Sequence, residues 1–289
     1  MNEDLMTFKP AVRKLIEMAL TEDIGSGDVT TGGALTGNET GFAKAMAKSD
    51  TVVAGMNVFR ESFLFLDPDI QFTAQVKDGD KVQRGDVLAI IQGRLRSILM
   101  AERTALNFFQ RMCGIATQTR RLVDAVKDRD VKIIHTRKTA PGLRILDTYA
   151  VRVAGGYCHR FGLFDGALIK ENHIAAAGSI AAAVVNVRRR IPITVKIEVE
   201  VENLQQVEEA LIAGADVIMF DNMSIADMKK AVTIVDGRVP LEASGNVTLA
   251  NVKDVAATGV NYISSGALTH SVVAADISLR VEFRDEMQQ

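Results

Sequence analysis

The spacing of apolar residues along this chain changes character near residue 131. Ahead of that point Val12, Leu15, Ile16, Ala19 and Leu20 recur at helical intervals, which predicts a helix broken by the two glycines of EDIGSGDVTT. The runs GFAKAMA, IQFTAQV and DVLAIIQG read as strands. A longer helix is predicted over ILMAERTALNFFQRMCGIATQTRRLVDAVK, with Leu99, Leu106, Phe109, Met112 and Cys113 along one side. After Val131 short β-rich runs alternate with helical ones. The strands are VKIIHT, GALIK, ITVKIEVEV, DVIMFD, VPLEASG and NYISSG; between the later ones lie SIAAAVVNVRRR, NLQQVEEALIAG, SIADMKKAVTIV and TLANVKDVAATG. Strands alternating with helices of about 10–15 residues build βαβ units and a parallel sheet. The succession predicts an incomplete β/α barrel after a mixed α/β amino-terminal part. The expected domains are 1–114, 115–268 and a segment 269–289 that returns to the first.

In a β/α barrel the chemistry gathers at the carboxyl ends of the strands. Those ends carry Arg137 and Lys138; Lys170; Glu198 and Glu200; Asp221; Ser244 and Gly245; Ser265 and Gly266. The alternation in KIEVEVE puts Lys196, Glu198, Glu200 and Glu202 on one face, expected to point into the barrel. Buried carboxylates are costly unless cations or metal ions accompany them. ASGNV and SSGAL each place a glycine at a strand end before a helix, the make-up of a phosphate seat.

Charge sharpens this picture. The chain of 289 residues carries 34 basic and 36 acidic residues, a formal net charge of −2, and a pI near 6.1. That balance argues against non-specific nucleic-acid binding, so anion recognition must be local. It is concentrated between His135 and Lys170, where Arg137, Lys138, Arg144, Arg152, Arg160 and Lys170 face only Asp147 and Asp165. The acidic start MNEDLMTFKP is unlike a secretory signal, and no apolar run approaches the roughly 20 residues of a membrane span. Cys113 and Cys158 are too few for a disulfide framework, and neither a CxxC nor an HExxH spacing occurs. A cytoplasmic protein with no membrane or nucleic-acid partner is expected.

The blocks EDIGSGDVTT, ERTALNFFQRMCGIAT, TRKTAPGLR, GGYCHRFGL, ALIKENHI, EVEVENL, FDNM, EASGNV and SSGALTHS, in this order, resemble the quinolinate phosphoribosyltransferase family nearly end to end. The resemblance implies an open α/β sandwich followed by a type II phosphoribosyltransferase-like barrel of fewer than eight strands, in a homodimer or larger homo-oligomer with shared active sites. It implies transfer of phosphoribosyl from phosphoribosyl pyrophosphate to quinolinate with loss of CO₂, giving nicotinate mononucleotide and pyrophosphate, with Mg²⁺. By matching motifs, Arg137, Lys138, His159 and Arg160 would hold the dicarboxylate, with Arg103 reaching in from a partner subunit. Lys170 would face the phosphates of the donor, and Ser244, Gly245 and Gly266 would cradle its 5′-phosphate. Glu200 and Asp221 would face the ribose and its Mg²⁺, directly or through water. Lys138, Lys170, Glu200 and Asp221 are the expected catalytic set. Arg144 and His173 are expected just behind it.

Two positions depart from the family pattern: His135 stands where Asp is common, and Cys158 where Asn or Ser usually precedes His-Arg. His135 would tighten quinolinate binding below about pH 6.5. Rival readings are a molybdenum-linked paralogue, which is expected to lack the Lys170-x-Asn172-His173 block, and a Schiff-base aldolase using Lys170. A third is a biotinyl or lipoyl carrier, suggested by VKDGDKVQRGDVLAII.

Overall fold

The computed structural model describes residues 9–282; the first eight residues and the last seven lie outside them. The chain forms two compact units, one containing residues up to 118, 140–154 and the segment from 272, the other 119–139 and 155–271. Residues 140–154, which a single boundary at 115 would put in the barrel, therefore fold with the first unit.

The first unit opens with α1 (Lys9–Ile24), which buries Val12, Ile16 and Leu20 on the face their spacing predicts. Then come α2 (Val29–Ala34), β1 (Thr40–Ala47), β2 (Thr51–Val52), α3 (Met56–Leu66), β3 (Gln71–Ala74), β4 (Lys81–Val82), β5 (Val87–Arg94) and α4 (Leu95–Ala125). Asp28 starts α2 by accepting the Thr30 and Thr31 N–H groups. The sheet is antiparallel, in the order β12–β1–β5–β3, where β12 (Ile277–Glu282) comes from the far end of the chain. Alanines 43, 45 and 47 line the buried side of β1 and leave room for aromatic rings from the helices. Phe59 stacks on Phe109 at 4.7 Å between centroids and meets Phe63 edge-on at 5.2 Å, so small strand residues and large helix residues fill one layer. The carrier-like stretch forms β4 and β5: Lys81 pairs with Val52 inside a ladder and is not at a hairpin tip.

Also in this unit, α5 (Arg144–Val153) is tied to α4 by a two-pronged ion pair, Arg111 Nε to Asp147 Oδ1 at 2.9 Å and Nη2 to Oδ2 at 2.7 Å. Asp147 is wholly buried.

The second unit is built on β6 (Lys132–Ile134), β7 (Ala167–Ile169), β8 (Ile197–Val201), β9 (Val217–Asp221), β10 (Leu241–Ser244) and β11 (Tyr262–Ser264), all parallel, in the order β6–β11–β10–β9–β8–β7. The last strand lies beside the first, which is the order of a barrel, and Tyr157 bridges the free side of β6 through Ile134. The connecting helices are α6 (Glu171–Ala177), α7 (Ile180–Arg188), α8 (Leu204–Ile212), α9 (Ile225–Val235), α10 (Val252–Ala256) and α11 (Ala267–His270). Ser179, Asn203 and Ser224 cap three of them by accepting an N–H in the first turn. Ile197, Val199, Val201, Ile218, Phe220, Leu241, Ala243 and Ile263 point outward and pack with Val184, Val207, Met228, Ala231 and Val252. The alternate residues point inward, and there the polar chemistry sits. Lys196 and Glu202 lie just outside β8 and are exposed, so of the predicted charged face only Glu198 and Glu200 belong to the strand itself.

Candidate active site

A cavity of about 410 Å³ opens at the carboxyl ends of these strands. Strand geometry brings its walls together: Glu200 is the penultimate residue of β8, Asp221 the last of β9 and Ser244 the last of β10, with Ser244 level with Asp221. Lys170 follows β7 directly, and Arg137 and Lys138 sit on the loop after β6. The loop is held from both sides, because Thr136 Oγ1 accepts the Lys138 N–H at 3.1 Å and the Thr269 hydroxyl donates to the Lys138 carbonyl at 2.9 Å.

Arg160 comes from the segment between Tyr157 and β7. Its Nη1 donates to the Gly166 carbonyl at 3.0 Å, and the Asp165 carboxylate clamps the turn by accepting the Phe161 and Gly162 N–H groups at 2.7 and 2.9 Å. The guanidinium is half-buried. Burial, and then the neighbouring charge of Arg137, hold its pKa below the usual arginine range. The buried Nε groups of both Arg137 and Arg160 meet no protein acceptor. Two like charges with orphaned donors around a cavity form an anion site, since such groups are otherwise expensive to bury.

Opposite them stand the acids. Lys170 Nζ pairs with Glu200 Oε2 at 2.5 Å. The Asn222 side chain donates to Asp221 Oδ1 at 3.1 Å, and Asn246 donates to Asn222 Oδ1 at 2.9 Å. Gly245 has φ +96°, and a Cβ there would stand 2.2 Å from Asn222 Oδ1; the bare backbone is therefore required for this junction. Glu200 and Asp221 offer hard oxygen donors on one wall, a set that fits Mg²⁺.

His159 has both ring nitrogens engaged by the protein. Nδ1 accepts the Arg160 N–H at 2.7 Å, and Nε2 lies 2.9 Å from Glu198 Oε2 and 3.5 Å from Glu242 Oε2. These three residues also line a second cavity of about 460 Å³, which takes in Lys132, Lys196 and Tyr262 near the amino ends of the strands.

Of the residues singled out from sequence, Arg137, Lys138, His159, Arg160, Lys170, Glu200, Asp221, Ser244 and Gly245 line the carboxyl-end cavity. Gly266 stands behind it; a Cβ there would meet the Lys138 Cδ at 3.0 Å. The helices after the two glycines differ from expectation, since α10 begins seven residues after Gly245 and α11 has only four residues. His173 is exposed, and its Nδ1 accepts the Lys170 N–H at 3.0 Å. His135 is wholly buried with Nδ1 2.9 Å from the Thr136 carbonyl, and it does not line the cavity, so the acid-favoured binding expected from it has no geometric support. Arg103 and Arg144 belong to the first unit; Arg103 is exposed on α4, and Arg144 begins α5. Sequence reasoning missed Asn222, Asn246 and Glu242. Their signals were present: Asn222 and Asn246 hold positive φ, a conformation Asn tolerates, and Glu242 interrupts an otherwise apolar strand.

Comparison with known proteins gives a consistent answer. Residues 28–113 match the family profile of the quinolinate phosphoribosyl transferase N-terminal domain, and residues 115–280 that of the C-terminal domain. The chain is 45% identical over 275 residues to a probable nicotinate-nucleotide pyrophosphorylase [carboxylating] of Bacillus subtilis (strain 168), covering 95% of each. It is 41% identical to quinolinate phosphoribosyltransferase [decarboxylating] 2, mitochondrial, of Nicotiana glauca, over 94% of this chain and 82% of that one. The crystal structure of NadC from Streptococcus pyogenes superposes with a TM-score of 0.92 at 40% identity, covering 97% of this chain and 99% of that one.

Proposed function

Because the chain belongs to the quinolinate phosphoribosyltransferase family, we propose that it transfers the phosphoribosyl group of phosphoribosyl pyrophosphate to quinolinate with loss of CO₂. The products are nicotinate mononucleotide and pyrophosphate, in NAD biosynthesis. The observation that carries this reading is the pair of half-buried guanidiniums, Arg137 and Arg160, with unpaired Nε groups around a cavity whose far wall is Glu200 and Asp221. A dicarboxylate supplies the missing acceptors, and arginine's fork suits it.

In this reading Arg137, Lys138 and Arg160 hold the quinolinate carboxylates and present the ring nitrogen to the anomeric carbon. The nitrogen's electron pair forms the new bond to that carbon as the bond to pyrophosphate breaks. Glu200 and Asp221 stabilise the positive character that develops on the ribose. Lys170, paired with Glu200, faces the phosphates of the donor, and the Ser244–Gly245 backbone and Gly266 receive the 5′-phosphate. Mg²⁺, held by Glu200 and Asp221 directly or through water, supplies charge neutralisation of the leaving pyrophosphate. Once the ring nitrogen is quaternary, the cationic ring accepts the electron pair left by CO₂, and a proton replaces the carboxylate.

The proposal includes a cytoplasmic setting and a homodimer in which Arg103 of one protomer completes the site of its partner. Among the described residues no helix is long and apolar enough to cross a membrane.

The test is nicotinate mononucleotide formation from quinolinate, phosphoribosyl pyrophosphate and Mg²⁺, with nicotinate offered in parallel. Turnover of quinolinate with release of CO₂, falling about 100-fold or more in Lys138→Ala, is expected. Turnover of nicotinate but not quinolinate, or none of either, would overturn the reading.

A further inference from the structure

In a β/α barrel the interior beneath the site is ordinarily filled by branched apolar side chains, because only stability is asked of it. This barrel departs from that rule. Alternation along the strands turns Lys132 of β6, Tyr262 of β11 and Glu242 of β10 inward, together with Glu198 of β8 and Lys196 just ahead of it. These five surround the cavity of about 460 Å³ at the amino ends, where a packed layer would otherwise stand. The reaction proposed above uses none of them.

The charges are sorted by depth. Lys132 and Lys196 are exposed at the mouth. Lys132 Nζ lies over the rings of Tyr157 and Tyr262, 4.9 and 5.8 Å from their centroids, contacts that hold the ammonium in place without neutralising it. Neither lysine has an ion-pair partner among the described residues. Asp216, whose charge Lys196 feels, is taken by Arg188 at 2.6 Å and by the Ile197 N–H at 2.7 Å. Asp165, on the cavity wall, is taken by the Phe161 and Gly162 N–H groups. Deeper stand the acids. Glu198 lies two residues, or about 7 Å, along the strand from Lys196, and a Glu242 carboxyl oxygen lies within 4.8 Å of one of its own. They are 8% and 2% exposed. Glu198 has His159 Nε2 at 2.9 Å, whereas the buried Oε1 of Glu242 meets no donor. A buried carboxyl oxygen without a partner is costly, and a donor brought in from outside would remove that cost.

We infer that the amino-end cavity is a second binding site, for a small molecule that is anionic at one end and carries an N–H donor at the other. The anion, a carboxylate or a phosphate, meets Lys132 and Lys196 at the mouth, and the N–H group meets Glu242 Oε1 at the floor. The volume is that of a small-molecule site. His159, Arg160 and Glu242 line both cavities, so a ligand held below rests on side chains that also bound the catalytic cavity. The inference does not depend on the reaction proposed above.

Calorimetry on the full-length protein tests it with two matched pairs of probes, 4-aminobenzoate against benzoate and adenosine 5′-monophosphate against ribose 5-phosphate. Each pair shares its anion, and the second member lacks the amino group. In one pair or both, the member with the amino group should bind at least tenfold more tightly, and the pair that does so tells whether the site takes a carboxylate or a phosphate. Lys132→Ala and Lys196→Ala should each weaken that probe at least fivefold. Glu242→Met should abolish the preference for the amino group while its counterpart binds as before. Lys170→Ala, in the catalytic cavity, should change nothing. Both mouth lysines are exposed, so their variants decide the matter whether or not Glu242→Met folds. No binding of either amino probe, equal binding within both pairs, or binding that is lost in Lys170→Ala and kept in Lys132→Ala would overturn the inference.

Discussion

At the scale of single residues, the candidate site is a problem of balancing charge in a cavity. Arg160→Lys keeps the charge but loses the planar fork and the Gly166 contact, so the quinolinate KM should rise about tenfold or more with a smaller change in kcat; an unchanged KM would remove Arg160 from the binding set. Gly245→Ala should be worse than its size suggests, because the new methyl meets Asn222 and the backbone holds φ +96°. It should raise the KM for phosphoribosyl pyrophosphate rather than for quinolinate. Glu242 links the site to stability. Its folded pKa is raised, so below the unfolded value of about 4.5 both states hold the proton. Above it the unfolded chain releases the proton first, and stability falls with rising pH. Thermal melts of Glu242→Gln should therefore gain on the wild type between pH 5 and neutrality and match it near pH 4. Much of this site could be read from sequence, because Arg137, Lys170, Glu200 and Asp221 end consecutive strands. Glu242 could not, because one acid in a strand does not reveal that a histidine from another segment comes to meet it.

Elements were legible where the pattern repeats and obscure where a distant partner sustains them. β8 and β9 follow directly from alternation, and α8 and α9 from apolar residues at helical spacing after Asn203 and Ser224 caps. α5 was hidden: its sequence carries Arg144, Asp147 and Arg152 after a Pro141–Gly142 turn, and it reads as part of a cationic loop. What fixes it is the ion pair of its buried Asp147 with Arg111, which is 36 residues away in sequence. Removing one partner of a buried pair leaves an uncompensated charge, so Asp147→Ala should cost about 3–5 kcal/mol in urea unfolding. A loss under about 1 kcal/mol would mean that the pair is not what anchors the helix. Asp67 offers a pH-dependent counterpart. The Arg94 guanidinium holds its carboxyl down to about 2, so its contribution is complete above pH 4 and disappears as pH falls towards 2. Asp67→Asn should flatten that acid limb of the urea midpoint.

At the scale of the whole molecule, the sequence conveys that there are two architectures but not how the chain is shared between them. The first unit draws residues from three separate stretches, and its edge strand β12 pairs with β1 across the whole of residues 48–276; neither pattern leaves a local periodicity. The same limit applies to Arg103. On an amphipathic helix an exposed arginine reads as ordinary solvent-facing polarity, and only the family resemblance assigns it to a partner's site. The proposed shared site has a quantitative consequence. In an Arg103→Ala homodimer every site lacks the arginine, and in a Lys138→Ala homodimer every site lacks the lysine. Mixing the two with subunit exchange makes about half the dimers hybrid, and in a two-fold dimer that shares its sites each hybrid regains one intact site of two. Activity should therefore return to about a quarter of wild type, and should appear only as fast as subunits exchange. If each protomer instead supplies its own arginine, every site in the mixture still lacks one of the two residues, and the mixture stays as inactive as its parents.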